Sequence, residues 1–316
     1  MSGVGPGAAS PGAGSGPWRL PPAVTIRDVG PRDGLQVEQP LPPETRVALT
    51  RALAAAGLRE IEVAAFVSPR AVPAMAGAAE LIAELGSLPG VVRTALVPNE
   101  RGARDALAAG VDALTVTVSA SERYSLRNTR MGRAQALAGL APICAAAAAR
   151  GDGVPVDVVI SCAFGSPYEG EIAHAEVELC RDAAVAAGAA RVTLADTTGM
   201  ATPPRVAALV QRLGGEIGVH FHETRGTGLL NAWAAVACGV TRLDSSLGGL
   251  GGSPFASGAA GNVATEELVL VLEDAGVATG IDLDRLLRAS ALLAQAVGRE
   301  LPSAVARSGP RLPPAR

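Results

Sequence analysis

From Ala23 onward the chain repeats one pattern: a short run rich in β-branched residues, then a longer stretch of Ala, Leu and Arg with helical character. Strands that run parallel need a crossover between them, and a helix is the usual crossover, so this alternation reads as successive βα units. Eight runs can be counted, at 24–28, 60–66, 91–97, 113–118, 155–160, 191–195, 217–221 and 241–245. Helical candidates lie between and after them at 43–56, 76–85, 101–109, 134–150, 171–187, 203–213, 226–238 and 265–274. Eight units suit a closed barrel, and roughly 250 residues is the usual size of that fold. An open doubly wound sheet is the competitor, but no G-x-G-x-x-G turn follows the first run. The expected fold is α/β, a single-domain (β/α)8 TIM barrel over residues 23–300.

The flanks read differently. Residues 1–22 are rich in Gly, Ala, Ser and Pro with no basic n-region and no apolar h-region, the composition of a disordered leader rather than a signal peptide. Residues 301–316 read as a flexible Pro/Arg tail without an anchor or a peroxisomal ending. Although 48% of residues are hydrophobic, charges interrupt every apolar run before it reaches the length of a membrane span. The net charge is −3 and aromatics make up 3%, so neither a phosphate-binding face nor a stacking platform for nucleic acid is expected. Cys144, Cys162, Cys180 and Cys238 are widely spaced, with no C-x-x-C pair, which suits a reducing, cytoplasmic setting.

In such barrels the chemistry sits at the C-terminal ends of the strands. Two of the three histidines, His220 and His222, flank Phe221 at the end of the seventh run. Alternation along a strand points both imidazoles the same way, so they can share one metal; two buried core rings with separate partners are the alternative. The first run ends in Gly30-Pro31-Arg32-Asp33-Gly34-Leu35-Gln36. There Asp33 could supply a hard oxygen ligand and Arg32 a planar fork for a carboxylate or enolate, or the two could form a solvated ion pair. Glu62 lies within the second run, where an inward carboxylate needs a partner, and Arg32 is the candidate. Asp196 ends the sixth run as a functional carboxylate or a helix cap. Asn262 could offer an amide oxygen to a metal, or cap a helix starting near Val263. The glycines from Gly248 to Gly261 form a substrate lid or a linker. His174 falls in a helical stretch and reads as a surface residue.

Taken together, these segments resemble the hydroxymethylglutaryl-CoA lyase family of metal-dependent TIM-barrel carbon–carbon lyases. The matching stretches are Val29 to Gln36, Ile61-Glu62, Phe66 to Pro69, Val97 to Asn99, Ser161 to Ala163, Pro167 to Gly170, Asp196-Thr197, Val219 to His222, Asp244 to Ser246, Gly248 to Gly252 and Gly261 through Glu266. They cover essentially residues 25–283 in order. The resemblance implies that Asp33, His220, His222 and Asn262 hold a divalent cation, with Mg2+ or Mn2+ favoured by the mixed oxygen and nitrogen donors. It implies that Arg32 stabilises an enolate oxygen, that Glu62 holds Arg32, and that Asp196 lies near the substrate hydroxyl. Gln36 and Arg225 stand where substrate would be felt.

The implied reaction is retro-Claisen cleavage of 3-hydroxy-3-methylglutaryl-CoA, or a related 3-hydroxyacyl thioester, to acetyl-CoA and acetoacetate or a related keto acid. The implied partner is a small-molecule acyl-CoA or other acyl thioester; the sequence leaves a homo-oligomer open. Three positions depart from the family pattern: Ser253 replaces the loop cysteine that completes the reaction as an acid, Arg225 replaces a tyrosine and Gln39 a lysine. A hydroxyl is a far weaker acid than a thiol. Two alternatives follow: aldol or Claisen chemistry on another substrate in specialised metabolism, or a barrel that retains the metal without turnover.

Overall fold

The computed structural model describes residues 19–151, 153–252 and 260–311. Strands β1 (Thr25–Asp28), β2 (Glu60–Ala65), β3 (Val92–Leu96), β4 (Ala113–Ser119), β5 (Val156–Ser161), β6 (Arg191–Ala195), β7 (Gly218–His220) and β8 (Arg242–Ser245) all pair in parallel and close into one barrel, β8 against β1. The expected (β/α)8 architecture is the one observed.

Around it run helices α1 (Pro43–Ala56), α2 (Ala78–Leu85), α3 (Glu100–Ala109), α4 (Glu122–Thr129), α5 (Arg133–Ala138), α6 (Leu140–Ala148), α7 (His174–Ala186), α8 (Pro203–Leu213), α9 (Gly228–Ala237), α10 (Thr265–Asp274), α11 (Leu283–Val297) and α12 (Ala304–Ser308). The main aliphatic core lies between sheet and helices, with Leu53, Ile61, Leu81, Leu114 and Leu194 almost wholly buried. His174 opens α7 and is half-buried.

Three differences from the sequence-based expectation have local causes. The stretch expected as one helix over 134–150 divides at Gly139 into α5 and α6. Helix α4, absent from that expectation, starts where the Ser121 hydroxyl accepts from the Tyr124 amide. The supposed flexible tail is packed down over 301–308: Leu301 and Val305 are buried, the Ser303 amide donates to the Gly248 carbonyl at 3.0 Å, and the Ser303 hydroxyl caps α12. Two buried apolar side chains and a capped turn suffice to fix a segment whose composition alone reads as unstructured.

The barrel interior departs from the branched aliphatic layers that usually fill this fold. Arg27 of β1, Asp157 of β5, Thr193 of β6 and Arg242 and Asp244 of β8 bond to one another across it. Burying charges is tolerated only when they are paired, and Arg27 and Asp157 each have more than one partner.

Candidate active site and metal centre

The site is assembled at the C-terminal rim. After β1 the backbone makes one turn of π-helix, Gly30–Gly34, with Pro31 in its first turn. The Gly30 amide is held by Asp28 Oδ1 at 2.8 Å, while Asp28 Oδ2 accepts from Thr265. That turn aims Arg32 and Asp33 into the barrel mouth. Arg32 donates through Nε to Glu62 and through Nη1 to Asp33 Oδ1 at 2.6 Å. Glu62 is fully buried on β2, so the partner expected for it from sequence is the one it has. Gln36 Nε2 donates to the same Asp33 oxygen at 2.8 Å, which makes it a holder of Asp33.

His220 ends β7 and His222 follows two residues later, with ring centroids 5.0 Å apart and Nε2 to Nε2 at 3.2 Å. Strand alternation therefore places the pair as read from the sequence. His222 Nδ1 lies 3.3 Å from the Ala260 carbonyl, which can only accept, so that nitrogen carries the proton. His220 Nδ1 faces Asp244 Oδ2 at 3.2 Å. Burial works to raise the Asp244 carboxyl, but the Arg27 guanidinium and the His220 hydrogen bond hold it well below the usual carboxylate range, so it too accepts. Both Nε2 atoms consequently turn toward each other, an arrangement that needs a proton or a cation between them.

Asn262 does not cap a helix. Helix α10 begins at Thr265 with Ala264 before it, and Asn262 instead bridges to His222 across the mouth. Its Nδ2 donates to Asp33 Oδ2 at 2.7 Å and to the Leu250 carbonyl at 2.9 Å, while its buried Oδ1 has no partner among the described residues. A ligating atom from each of Asp33, His220 and His222 lies within 4.8 Å of the others. Two imidazole lone pairs, an ionised carboxylate and an orphaned amide oxygen fit a divalent cation. Burial alone would raise the Asp33 carboxyl; Arg32 and the imidazoles outweigh it and keep the group below its ordinary value, as a ligand requires. Burial, then the neighbouring His220, pushes His222 down to about 4, so near neutral pH it is a neutral imidazole with its Nε2 lone pair free.

The glycine segment explains itself by close approach. A Cβ on Gly251 would stand 2.7 Å from the Asp33 carbonyl and 2.8 Å from Asn262 Nδ2, and one on Gly261 would strike the Gly249 carbonyl at 1.8 Å. Its described part is therefore a cradle packed against Asp33 and Asn262 rather than a linker. Ser253 lies outside the described residues.

Asp196 sits just after β6, its oxygens accepting from the Met200 amide at 2.7 Å and the Ala201 amide at 3.0 Å. It thus shapes its own loop and does not cap α8, which Thr202 precedes. Burial pushes it up to about 7 against those hydrogen bonds, so it exchanges protons near neutrality. Arg225 is exposed and donates to the Thr198 and Gly199 carbonyls at 2.9 and 2.8 Å, tying the rim loops after β6 and β7 together. Cys162, at φ +54° after β5, has its thiol pushed up to about 12 by burial, which removes it as a ready proton donor.

Sequence reasoning gave Arg27 and Asp244 no role, yet both stand directly behind His220. The available signal was a charged residue within β1 and within β8, strands that a barrel buries on both faces.

A family model described as HMGL-like matches residues 23–293. The (R)-citramalyl-CoA lyase of Chloroflexus aurantiacus is 43% identical over 307 residues, covering 92% of this chain and 96% of that protein. The mitochondrial hydroxymethylglutaryl-CoA lyase of Bos taurus is 38% identical, covering 92% and 90%. Among solved structures, an HMG-CoA lyase from Acinetobacter baumannii in complex with coenzyme A and 3-methylmalate superposes with a TM-score of 0.88 at 36% identity, over 93% of this chain and 98% of that one. No helix among the described residues is long and apolar enough to cross a membrane. With full-length likeness added to the ligand cluster at the barrel mouth, the chain belongs to the HMGL-like family.

Proposed function

We propose that the protein is a divalent-metal-dependent lyase that cleaves 3-hydroxy-3-methylglutaryl-CoA, or a close 3-hydroxy-3-methyl acyl-CoA bearing a carboxylate, by a retro-Claisen step. The observation that carries this reading is the convergence of Asp33, His220, His222 and the partnerless Asn262 oxygen beside the Arg32–Glu62 pair. Mg2+ or Mn2+ bound there supplies Lewis acidity toward the substrate's hydroxyl and carboxylate oxygens.

The protein's own residues then have distinct tasks. Asp196, near neutrality at the rim, takes the proton of the 3-hydroxyl. The bond between C2 and C3 breaks, its electron pair passes to the thioester as an enolate, and the hydroxyl carbon becomes the ketone of acetoacetate. Arg32, oriented by Glu62 and Asp33, places guanidinium charge at the enolate oxygen. Its Nη2 has no partner among the described residues and is available for that contact. Protonation at C2 yields acetyl-CoA, and Ser253 stands where the family has its acid. Four free cysteines fit the reducing cytoplasm proposed for the protein.

A second reading, cleavage of citramalyl-CoA to acetyl-CoA and pyruvate, is favoured by the 43% identity to the Chloroflexus enzyme. The two substrates differ by one methylene between the hydroxyl carbon and the carboxylate. Purified protein with Mg2+ or Mn2+ is to be incubated with both thioesters and with longer branched 3-hydroxyacyl-CoAs, and the keto acid identified. Release of acetyl-CoA with acetoacetate supports the first reading and release with pyruvate the second. Inertness toward the whole panel, for the native protein and for Ser253→Cys alike, overturns both.

A further inference from the structure

The metal ligands do not end the polar architecture; behind His220 runs a column of charge down the barrel. Strand register sets it up: Arg27 pairs with Asp244 across β1 and β8, and Asp244 with His220 across β8 and β7, so three inward side chains occupy one row. Arg27 Nε and Nη2 each donate to a different Asp244 oxygen at 2.8 Å. Arg27 Nη1 reaches Asp157 on the opposite wall at 2.8 Å, and Asp157 is held in turn by the Thr193 hydroxyl. Arg27, Asp244 and Asp157 are each at least nine-tenths buried.

A bidentate clamp of this kind fixes the plane of the Asp244 carboxylate as well as its charge. Asp244 Oδ2 is the atom that faces His220 Nδ1. With the carboxylate immobile, the imidazole has one favourable setting: Nδ1–H toward Asp244 and Nε2 toward His222 and Asp33, its lone pair free for a cation when one is bound.

We propose that Arg27 and Asp244 are positioning residues of the metal centre: anchored to Asp157, they lock the tautomer and ring plane of His220 and thereby set how tightly the cation is held. This rests on the metal-centre reading above for its consequence, while its structural core, the Nδ1–H of His220 held on Asp244, stands without any metal. A network serving only barrel stability would leave the affinity for the cation unmoved.

The full chain labelled with 15N-histidine contains three imidazoles, few enough for each to be assigned. Two-bond 1H–15N correlation spectra, recorded in EDTA and with Mg2+, are expected to show a proton on Nδ1 of His220 in both conditions. Arg27→Met/Asp244→Leu removes both charges of the pair together, which leaves neither of them buried alone. It is expected to free the His220 tautomer and to weaken Mn2+ binding about 10–100-fold in an EPR titration with the metal alone. Asp244→Asn keeps a side chain of the same shape and is the second variant, with a loss of about tenfold expected. An unprotonated Nδ1 in the native protein overturns the proposal, as does native Mn2+ affinity in whichever of the two variants folds. If the native chain binds no Mn2+, the metal-centre reading falls, and the tautomer spectrum alone decides this inference.

Discussion

Replacing Asn262 by Asp changes one functional group and inverts the electrostatics of the site. In the native protein Asn262 Nδ2 satisfies Asp33 Oδ2 and the Leu250 carbonyl, both in buried surroundings. An aspartate removes both donations and sets a second carboxylate beside Asp33. Leaving a buried acceptor unsatisfied costs about 1–3 kcal/mol each, so the metal-free variant should lose about 4 kcal/mol. Unfolding entropy of about 2 cal/mol/K per residue, applied to 316 residues, turns that loss into a Tm lower by about 6 °C. A bound dication reverses the penalty, since the two carboxylates then neutralise its charge and the introduced side chain still offers an oxygen where Asn262 Oδ1 has no partner. Calorimetric unfolding in EDTA and in excess Mn2+ should therefore show a large deficit in EDTA and a rise on adding metal that exceeds the native one. Equal stability of the two proteins in EDTA, or a metal-induced rise in the variant smaller than the native rise, would refute the reasoning.

Other consequences are as direct. Burial holds Glu266 up to about 7, so between its ordinary value and that pH the folded chain keeps a proton that the unfolded chain has released; this contribution to stability is lost as pH rises through that window. Glu266→Gln should lack the fall and gain about 3 kcal/mol on the native protein between pH 4 and pH 8 in urea titrations; parallel curves would contradict it. Arg32→Lys loses the planar fork that spans Glu62 and Asp33, and kcat for thioester cleavage should drop about 100-fold or more, whereas activity within a few fold of native would remove Arg32 from its role. Leu301→Ala opens a cavity against Gly248 and should cost about 3 kcal/mol in the same denaturation assay, a loss that a mobile tail would not produce.

The parts of this protein that could be read from sequence are those whose signal is local. β-branched runs identified all eight strands, because the face each strand turns to the helices must be apolar over a short span. The His220–His222 pair follows from the period of a strand, and the Arg32–Glu62 contact from the cost of an unpaired inward carboxylate. What stayed hidden depends on register across the barrel. Nothing near Arg27 in the sequence announces Asp244, 217 residues away, or Asp157 on the opposite wall. Asn262 carried two equal local readings, and only the start of α10 at Thr265 separates them. Helix α11 had adequate signals, with Asp282 capping its start and Gly298 in the left-handed region at its end, but lay beyond the eight counted units; it packs on α1. At Gln36 and Arg225 the rim position was legible but the internal bonds were not: one also holds Asp33 and the other also ties two loops, contacts that depend on how the rim loops fold together.

Four donors gathered around one ion are the foundation of the proposed chemistry. Crystals of the protein grown with Mn2+, with diffraction collected at an energy where manganese scatters anomalously, locate that ion without reference to any assumed ligand. A single anomalous peak enclosed by Asp33, His220, His222 and the Asn262 oxygen is the predicted result. A peak bound elsewhere, or none in crystals whose solution sample takes up no stoichiometric Mn2+, would contradict the central claim.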